Sequence, residues 1–268
     1  MSLQSAIARL AEAMPAFQPG HVWLAGAGPG NAGSLTLDVI SAIATADAIV
    51  YDALVDVTVL DMARDGAELH FAGKRGGRVS TAQDDITSLL IALARKQRRV
   101  LRLKGGDPYV FGRGGEEALA LARAGIPFRI LPGVTSAFGA LANAGIPATM
   151  RGLNKAIILA TGHAAGEDDD LDWAALAATG QPIVVYMGLR NLPRITAALI
   201  DGGLRTSTPA AVIMAATTPD ERVLVSNLGA IAGQAEAQGY ASPALIVVGD
   251  IVSIRAELMQ LERLVRSA

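Results

Sequence analysis

Cysteine is absent from all 268 residues, which removes disulfides, thiolate nucleophiles and zinc–cysteine sites at once. Aromatic residues make up only 4%, and no basic, aromatic-studded helix or strand occurs, which argues against nucleic acid as the ligand. Long apolar runs are missing too. Hydrophobic residues reach 51%, yet no stretch approaches the ~18 residues of a membrane span. The first twenty residues carry a helical pattern (Leu3, Ile7, Leu10, Met14) interrupted by Arg9 and Glu12, without the apolar core and cleavage site of a secretion signal. The acidic run Glu167-Asp168-Asp169-Asp170 lacks the even spacing of a calcium loop and reads as a solvated loop, so no metal site is expected. Together these absences predict a soluble, cytoplasmic, globular protein.

Glycine and clustered basic charge are what the chain does have. The run from Arg102 to Glu117, RLKGGDPYVFGRGGEE, follows an apolar segment that predicts a strand and precedes an amphipathic helix predicted to begin near Glu116. Two glycines, an acid and a proline at a strand end make a loop that can pass close to a small ligand. Glycines surround Arg113, which leaves its guanidinium free to reach an anion. The net charge of −2 hides a polarity along the chain. Residues 74–113 hold ten basic and three acidic side chains, whereas residues 1–73 hold two basic and eight acidic ones. Arg95, Lys96, Arg98 and Arg99 read as a solvated helix end. Lys74, Arg75, Arg78 and Arg113 sit among glycines instead and point to an anionic small molecule.

Strand and helix patterns alternate along the first half. Strands are predicted at His21–Ala25, Asp47–Tyr51, Glu68–Ala72, the segment from Arg99 and Phe128–Leu131, with helices from Leu35, over Val55–Arg64, over Asp84–Lys96 and after the glycine loop. Two helices are predicted to end at Ala124-Gly125-Ile126-Pro127 and Ala144-Gly145-Ile146-Pro147, where glycine fits the left-handed position and proline forbids continuation. Such alternation predicts a parallel sheet covered on both faces. The second half is α/β as well, with strands expected at Ala156–Ala160, Ile183–Tyr186, Ala210–Ile213 and Leu245–Val248. The fold class is therefore α/β with two domains. A helical extension is expected over 1–19, an N-terminal domain over 20–132 and a C-terminal domain over 133–268, joined through Leu131–Ser136.

One loop admits two readings. Gly28-Pro29-Gly30-Asn31-Ala32-Gly33 matches the dinucleotide fingerprint, and Asp52 ends the next strand where a ribose-binding acid would sit. That makes an NAD-dependent oxidoreductase an alternative. Against it, Ser34 is the best N-cap, so the helix is expected to start after all three glycines rather than point its N–H groups at a pyrophosphate. Pro29 also removes an N–H from the loop.

Taken together, Gly26-Ala27-Gly28-Pro29-Gly30, Val50-Tyr51-Asp52-Ala53-Leu54-Val55, Gly73-Lys74-Arg75 and the Arg102–Glu117 run resemble the tetrapyrrole methylases. So do Pro132-Gly133-Val134-Thr135-Ser136, Ala144-Gly145-Ile146-Pro147, Thr161-Gly162-His163 and Tyr186-Met187-Gly188. The resemblance spans about residues 20–255. The complete glycine loop ties it to the branch that methylates uroporphyrinogen III rather than to later corrin-ring methylases, which remain the nearer alternative. It implies two α/β domains with S-adenosylmethionine in the cleft between them, a homodimer, and two methyl transfers giving precorrin-2 for siroheme or cobalamin synthesis. It further implies cofactor contacts from Pro29, Gly105, Gly106, Asp107, Val110, Thr135, Ser136, Met187, Ala216 and Ala244. Asp52 would accept a proton and Lys74 donate one, although Asp52 could instead cap the following helix.

The substrate implied by the resemblance carries eight carboxylates, so Arg75, Arg78, Arg113 and Arg151 are the candidate contacts. Glu116 could accept from a pyrrole N–H or could simply favour the helix dipole. Asn31, Ala53, Met150 and Met214-Ala215-Ala216-Thr217 depart from the family pattern outside the glycine loop. His163 reads as a structural histidine at a strand end. Met187 could belong to the core, but Gly188 after it favours a loop facing the cofactor. A non-catalytic tetrapyrrole carrier is the third reading, and the presence of both Asp52 and Lys74 argues against it.

Overall fold

The computed structural model describes Arg9 and residues 14–73, 83–163 and 171–267. It divides into two compact units, Met1–Ser136 and Ala137–Ala268. In the first, β1 (Val22–Gly26), β2 (Ala48–Tyr51), β3 (Glu68–Phe71), β4 (Val100–Lys104) and β5 (Phe128–Leu131) form a sheet in the order β3-β2-β4-β1-β5. Every neighbouring pair is parallel. Both central strands are buried along their whole length, as expected of a parallel sheet with helices on each face.

The two faces use alternate residues of each strand. Trp23, Ala25, Leu101 and Leu103 pack under Val39 and Ile43 of helix α1 (Leu37–Thr45). Val22, Leu24, Val50 and Val100 pack under Leu90 of α2 (Gln83–Arg95) and Leu121 of α3 (Gly114–Arg123). Each such aliphatic side chain contributes roughly 1.5–3 kcal/mol by leaving water. The third helix stops as its sequence demands: Gly125 takes φ +67° and Ile126 N–H reaches back to Leu121 O at 3.0 Å. Helix α4 (Ser136–Asn143) ends in the same way, with Gly145 at φ +65°.

The structure differs from the sequence expectation at three local points. Thr36, not Ser34, caps α1, its Oγ1 accepting from Val39 N–H at 3.4 Å, because Ala32–Ser34 already forms a single 3₁₀ turn. The segment Val55–Arg64 is a 3₁₀ helix over Val57–Met62, started by the Asp56 carboxylate on Thr58 N–H. Arg98 and Arg99 are not merely solvated. Arg98 pairs with Glu68 at 3.0 Å, and Arg99 grips both carboxylate oxygens of Asp47 at 2.8 and 3.0 Å.

The second unit holds β6 (Ile158–Thr161), β7 (Ile183–Tyr186), β8 (Pro209–Met214), β9 (Arg222–Asn227) and β10 (Ala244–Val248), ordered β6-β7-β10-β8-β9. Only β6 and β7 run parallel; the remaining pairs are antiparallel. Strand β9 is not among the strands the sequence predicts. It is an edge strand with one buried side chain, Leu224, and its apolar run, Val223-Leu224-Val225, is shorter than those of the inner strands. Its signal is this short aliphatic run, two of its three residues β-branched, just after the turn at 218–221. Helices α5 (Trp173–Ala178), α6 (Leu192–Asp201) and α7 (Ile231–Ala237) cover one face, with Trp173, Leu192, Ile195, Leu199 and Ile231 in the core beside Val185, Val212 and Ile246. Helix α8 (Ile254–Ser267) closes the chain. No helix among the described residues is long and apolar enough to cross a membrane.

Candidate active site

In the first unit the loops that follow β1, β4 and β5 meet. Gly28 and Gly106 bond to each other twice through their backbones, N–H to O at 3.1 and 2.7 Å. A Cβ on Gly26 would stand 2.5 Å from Gly106 O and 2.7 Å from Gly133 Cα, and one on Gly133 would stand 2.3 Å from Gly106 O. Gly26 and Gly133, from distant parts of the chain, are thus required by one close approach of backbones at the Gly106 carbonyl. Gly106 also takes φ +68°, a conformation β-branched residues avoid. Asp107 fastens the loop: one carboxylate oxygen accepts from Gly133 N–H at 3.0 Å and the other from Tyr109 N–H at 2.8 Å. Val110 N–H turns back onto Asp107 O, and Pro29 follows Gly28 at the rim. Gly105 lies against Leu54, where a Cβ would come within 2.8 Å of the leucine Cβ, and Ser136 Oγ would lie 3.1 Å from a Cβ on Gly106. Thr135, next to it, is buried. The seven first-unit cofactor candidates therefore lie along one clasped loop system.

The second-unit candidates also gather. Ala244 opens β10 opposite Met214, the last residue of β8, and Leu245 stands opposite Tyr186, which precedes Met187. Ala216 lies between Ala215 and Thr217, both with positive φ, in a loop held by Ala215 N–H on Pro243 O and by the Glu221 carboxylate on Thr217 N–H. Asn143 donates to the same Glu221 oxygen at 2.6 Å. Met187 is 51% exposed at φ +52°, so it is not a core methionine. Gly162 and Gly188 approach so closely that a Cβ on Gly162 would meet Gly188 Cα at 2.6 Å. His163 is exposed at the end of β6, its N–H on Thr161 Oγ1.

Asp52, at the end of β2, does not cap the helix after it; Asp56 does. Its carboxylate accepts from Arg102 Nη2 at 2.6 Å and lies 3.8 Å from Lys104 Nζ. Arg113, in a left-handed conformation at the start of α3, chelates Glu116 at 2.6 and 3.0 Å, and both side chains are more than half exposed. That pairing raises Arg113 and lowers the Glu116 carboxyl below its ordinary value, through their hydrogen bond first. The two candidate substrate contacts thus hold each other. Arg151 is exposed in the turn that follows α4. Lys74, Arg75 and Arg78 fall outside the described residues, as do the acidic run 167–170 and most of the 1–19 extension. Among the described residues no group of histidine, aspartate and glutamate is arranged to hold a metal ion.

The sheet order decides against the dinucleotide reading. A dinucleotide fold places the first strand beside the second, in the order 3-2-1-4-5. Here β4 lies between β1 and β2, so Asp52 is not on the neighbour of the glycine-loop strand. The loop after β1 also bonds to Gly106 instead of opening α1.

Comparison with known proteins agrees. The family model of the Tetrapyrrole (Corrin/Porphyrin) Methylases matches residues 21–232. The chain is a tetrapyrrole methylase. This methylase is 49% identical over 247 residues to a uroporphyrinogen-III C-methyltransferase of a Sinorhizobium species, covering 91% of the chain and 88% of that protein. It is 45% identical to the siroheme synthase of Chromobacterium violaceum, of which it spans only 53%. Among solved structures, the uroporphyrin-III C-methyltransferase of Thermus thermophilus matches with a TM-score of 0.75 and 40% identity, over 89% of this chain and 98% of that one. A second structure of that enzyme, complexed with S-adenosylhomocysteine, matches at 0.74 and 36%, over 87% and 99%.

In the sequence, three residues of this methylase stand out only as parts of a motif: Arg102, Lys104 and Glu117. All are buried. Burial and the neighbouring Arg102 push the Lys104 ammonium below its ordinary value. The available signal was two cations at alternate positions of an otherwise apolar strand, hence on one face of it. The clamping glutamate Glu221 left no sequence signal.

Proposed function

We propose that this methylase transfers two methyl groups from S-adenosylmethionine to uroporphyrinogen III, giving precorrin-2 for siroheme or cobalamin-type synthesis. The observation that supports it most is the glycine clasp of Gly26, Gly28, Gly106 and Gly133, a cradle where any added Cβ would strike backbone or a neighbouring side chain. Loops clasped this tightly hold their backbone N–H and C=O groups at fixed positions, which suits a ligand recognised at short range. The 49% identity to a protein of the same activity supports the substrate.

The cofactor supplies a methyl carbon on a positively charged sulfur. This chain's residues would align it and remove water. Gly105, Gly106, Asp107, Val110, Thr135, Ser136 and Pro29 line the first-unit loops, and Met187, Ala216 and Ala244 one end of the second sheet. Methyl transfer is an in-line displacement, so such positioning provides much of the rate. As the carbon–carbon bond forms and the sulfur–carbon bond breaks, the substrate sheds a proton. Asp52 would accept it, and Lys74 would donate a proton at one ring position only as another leaves a second position, so one proton is released per methyl transferred. Arg75, Arg113 and Arg151 would hold the substrate carboxylates, with Glu116 orienting Arg113 or a pyrrole N–H. A homodimer in the cytoplasm completes the reading; sedimentation tests the first part.

Incubation with uroporphyrinogen III and S-adenosylmethionine, followed by product mass, tests the function. A gain of two methyl groups is expected. No gain, or gain only on a ring already methylated, overturns it in favour of another corrin-pathway methyltransferase.

A further inference from the structure

Strand β4 carries Arg102 and Lys104 on one face in the middle of the sheet, between β1 and β2, neither of which has a charged residue. That face looks toward α2 and α3, and Glu117 of α3 meets both cations there. Its Oε1 accepts from Arg102 Nε at 3.2 Å, Lys104 Nζ at 3.1 Å and Gln83 Nε2 at 2.9 Å. Arg102 spends its other donors on Val50 O, Leu103 O and, at 2.6 Å, Asp52 Oδ1. Two cations and two carboxylates thus form one neutral cluster. Side-chain exposure within it is 0% for Glu117, 2% for Arg102 and 4% for Lys104, against 27% for Asp52.

A buried cluster of this kind is poor glue. Apolar residues of similar volume would serve the fold as well or better, because the cost of taking charges out of water offsets their attraction. What the cluster does provide is direction. Parallel pairing sets Val50 beside Arg102 and Tyr51 beside Leu103, so the end of β2 reaches the arginine fork. The fork is fixed from behind by Glu117. Only Asp52 presents a substantially open surface.

We propose that Glu117, through Arg102 and Lys104, is a positioning residue that holds the Asp52 carboxylate in a single orientation for proton acceptance. This rests on Asp52 being the base of the proposed reaction. Glu117 makes no contact with the reacting atoms; it fixes the two cations that fix Asp52.

A double-variant cycle tests it on the full chain, with folding of each protein checked by circular dichroism and melting. Glu117→Gln keeps the size and one acceptor oxygen but removes the charge. It is expected to lower kcat roughly 10- to 100-fold, the scale of a misplaced catalytic group. KM for uroporphyrinogen III and the Kd of S-adenosylhomocysteine should stay within about twofold. Added to Asp52→Asn, it should cost nothing further, since the orienting role then has no object. If Glu117→Gln does not fold, Arg102→Lys, which keeps the charge and loses the fork, carries the same cycle. A wild-type kcat for the folded variant, or losses that multiply in the double variant, would overturn the proposal while leaving Asp52 as base. A wild-type kcat for Asp52→Asn alone would instead overturn the base assignment, and this proposal with it.

Discussion

Gly28 and Gly106 lie 78 positions apart in the sequence, yet each donates its backbone N–H to the other's carbonyl, at 3.1 and 2.7 Å. This bridge ties the loop after β1 to the loop after β4, and a Cβ on Gly28 or Gly106 would press on Ser34 or Ser136. A conformational requirement at one residue is thereby a requirement on the whole cradle.

Gly106→Val should therefore abolish cofactor binding before it abolishes folding. Valine at φ +68° is strained by about 1–3 kcal/mol, and its Cβ would press on Ser136 Oγ. Calorimetry with S-adenosylhomocysteine on the folded variant is expected to show at least a tenfold loss. Unchanged affinity would separate this loop from the cofactor.

Arg113→Ala is expected to spare S-adenosylhomocysteine binding and to lower kcat/KM for the tetrapyrrole. Loss of a charged carboxylate contact costs about 1.5–3 kcal/mol. Stability should hardly move, because the Arg113–Glu116 pair is exposed. Equal losses for cofactor and substrate would show that Arg113 shapes the loop instead of holding the substrate.

Asp52→Asn preserves size and hydrogen-bonding reach but removes basicity. Turnover of the folded variant should fall by about 100-fold or more while both ligands still bind. Because Asp52 does not cap the following helix, no stability change through capping is expected. A near-normal rate would mean that the substrate proton leaves by another route.

Acid stability should depend on Asp47. The hydrogen bond from Arg99 holds its carboxyl at about 2, below the usual 3.8. A depressed carboxyl stabilises the fold above its unfolded value and loses that contribution as pH falls through its folded one. Asp47→Asn should thus lower Tm at pH 6, and the gap should close as pH falls from about 4 to 2. The contribution is on the order of 1 kcal/mol after solvent screening, or about 2–4 °C. A gap that is constant across this range would show that the ion pair adds nothing beyond its hydrogen bonds.

The sequence by itself determined what local chemistry can specify. The inner strands of both sheets follow from short apolar runs, and the ends of α3 and α4 from glycine followed by proline. The loop from Arg102 to Glu117 and the family it belongs to were legible because so many of its positions are constrained one by one. Tertiary structure decided what depends on pairing between distant segments. It set β4 between β1 and β2, which separated the glycine loop from Asp52 and removed the dinucleotide reading. It made the second sheet mixed and gave it an edge strand, β9, whose half-exposed sequence carries little signal. It turned Arg113 toward Glu116. Finally, it buried Arg102, Lys104 and Glu117 in one cluster with Asp52, since alternation puts two cations on one face of a strand but only packing brings a helix carboxylate to meet them.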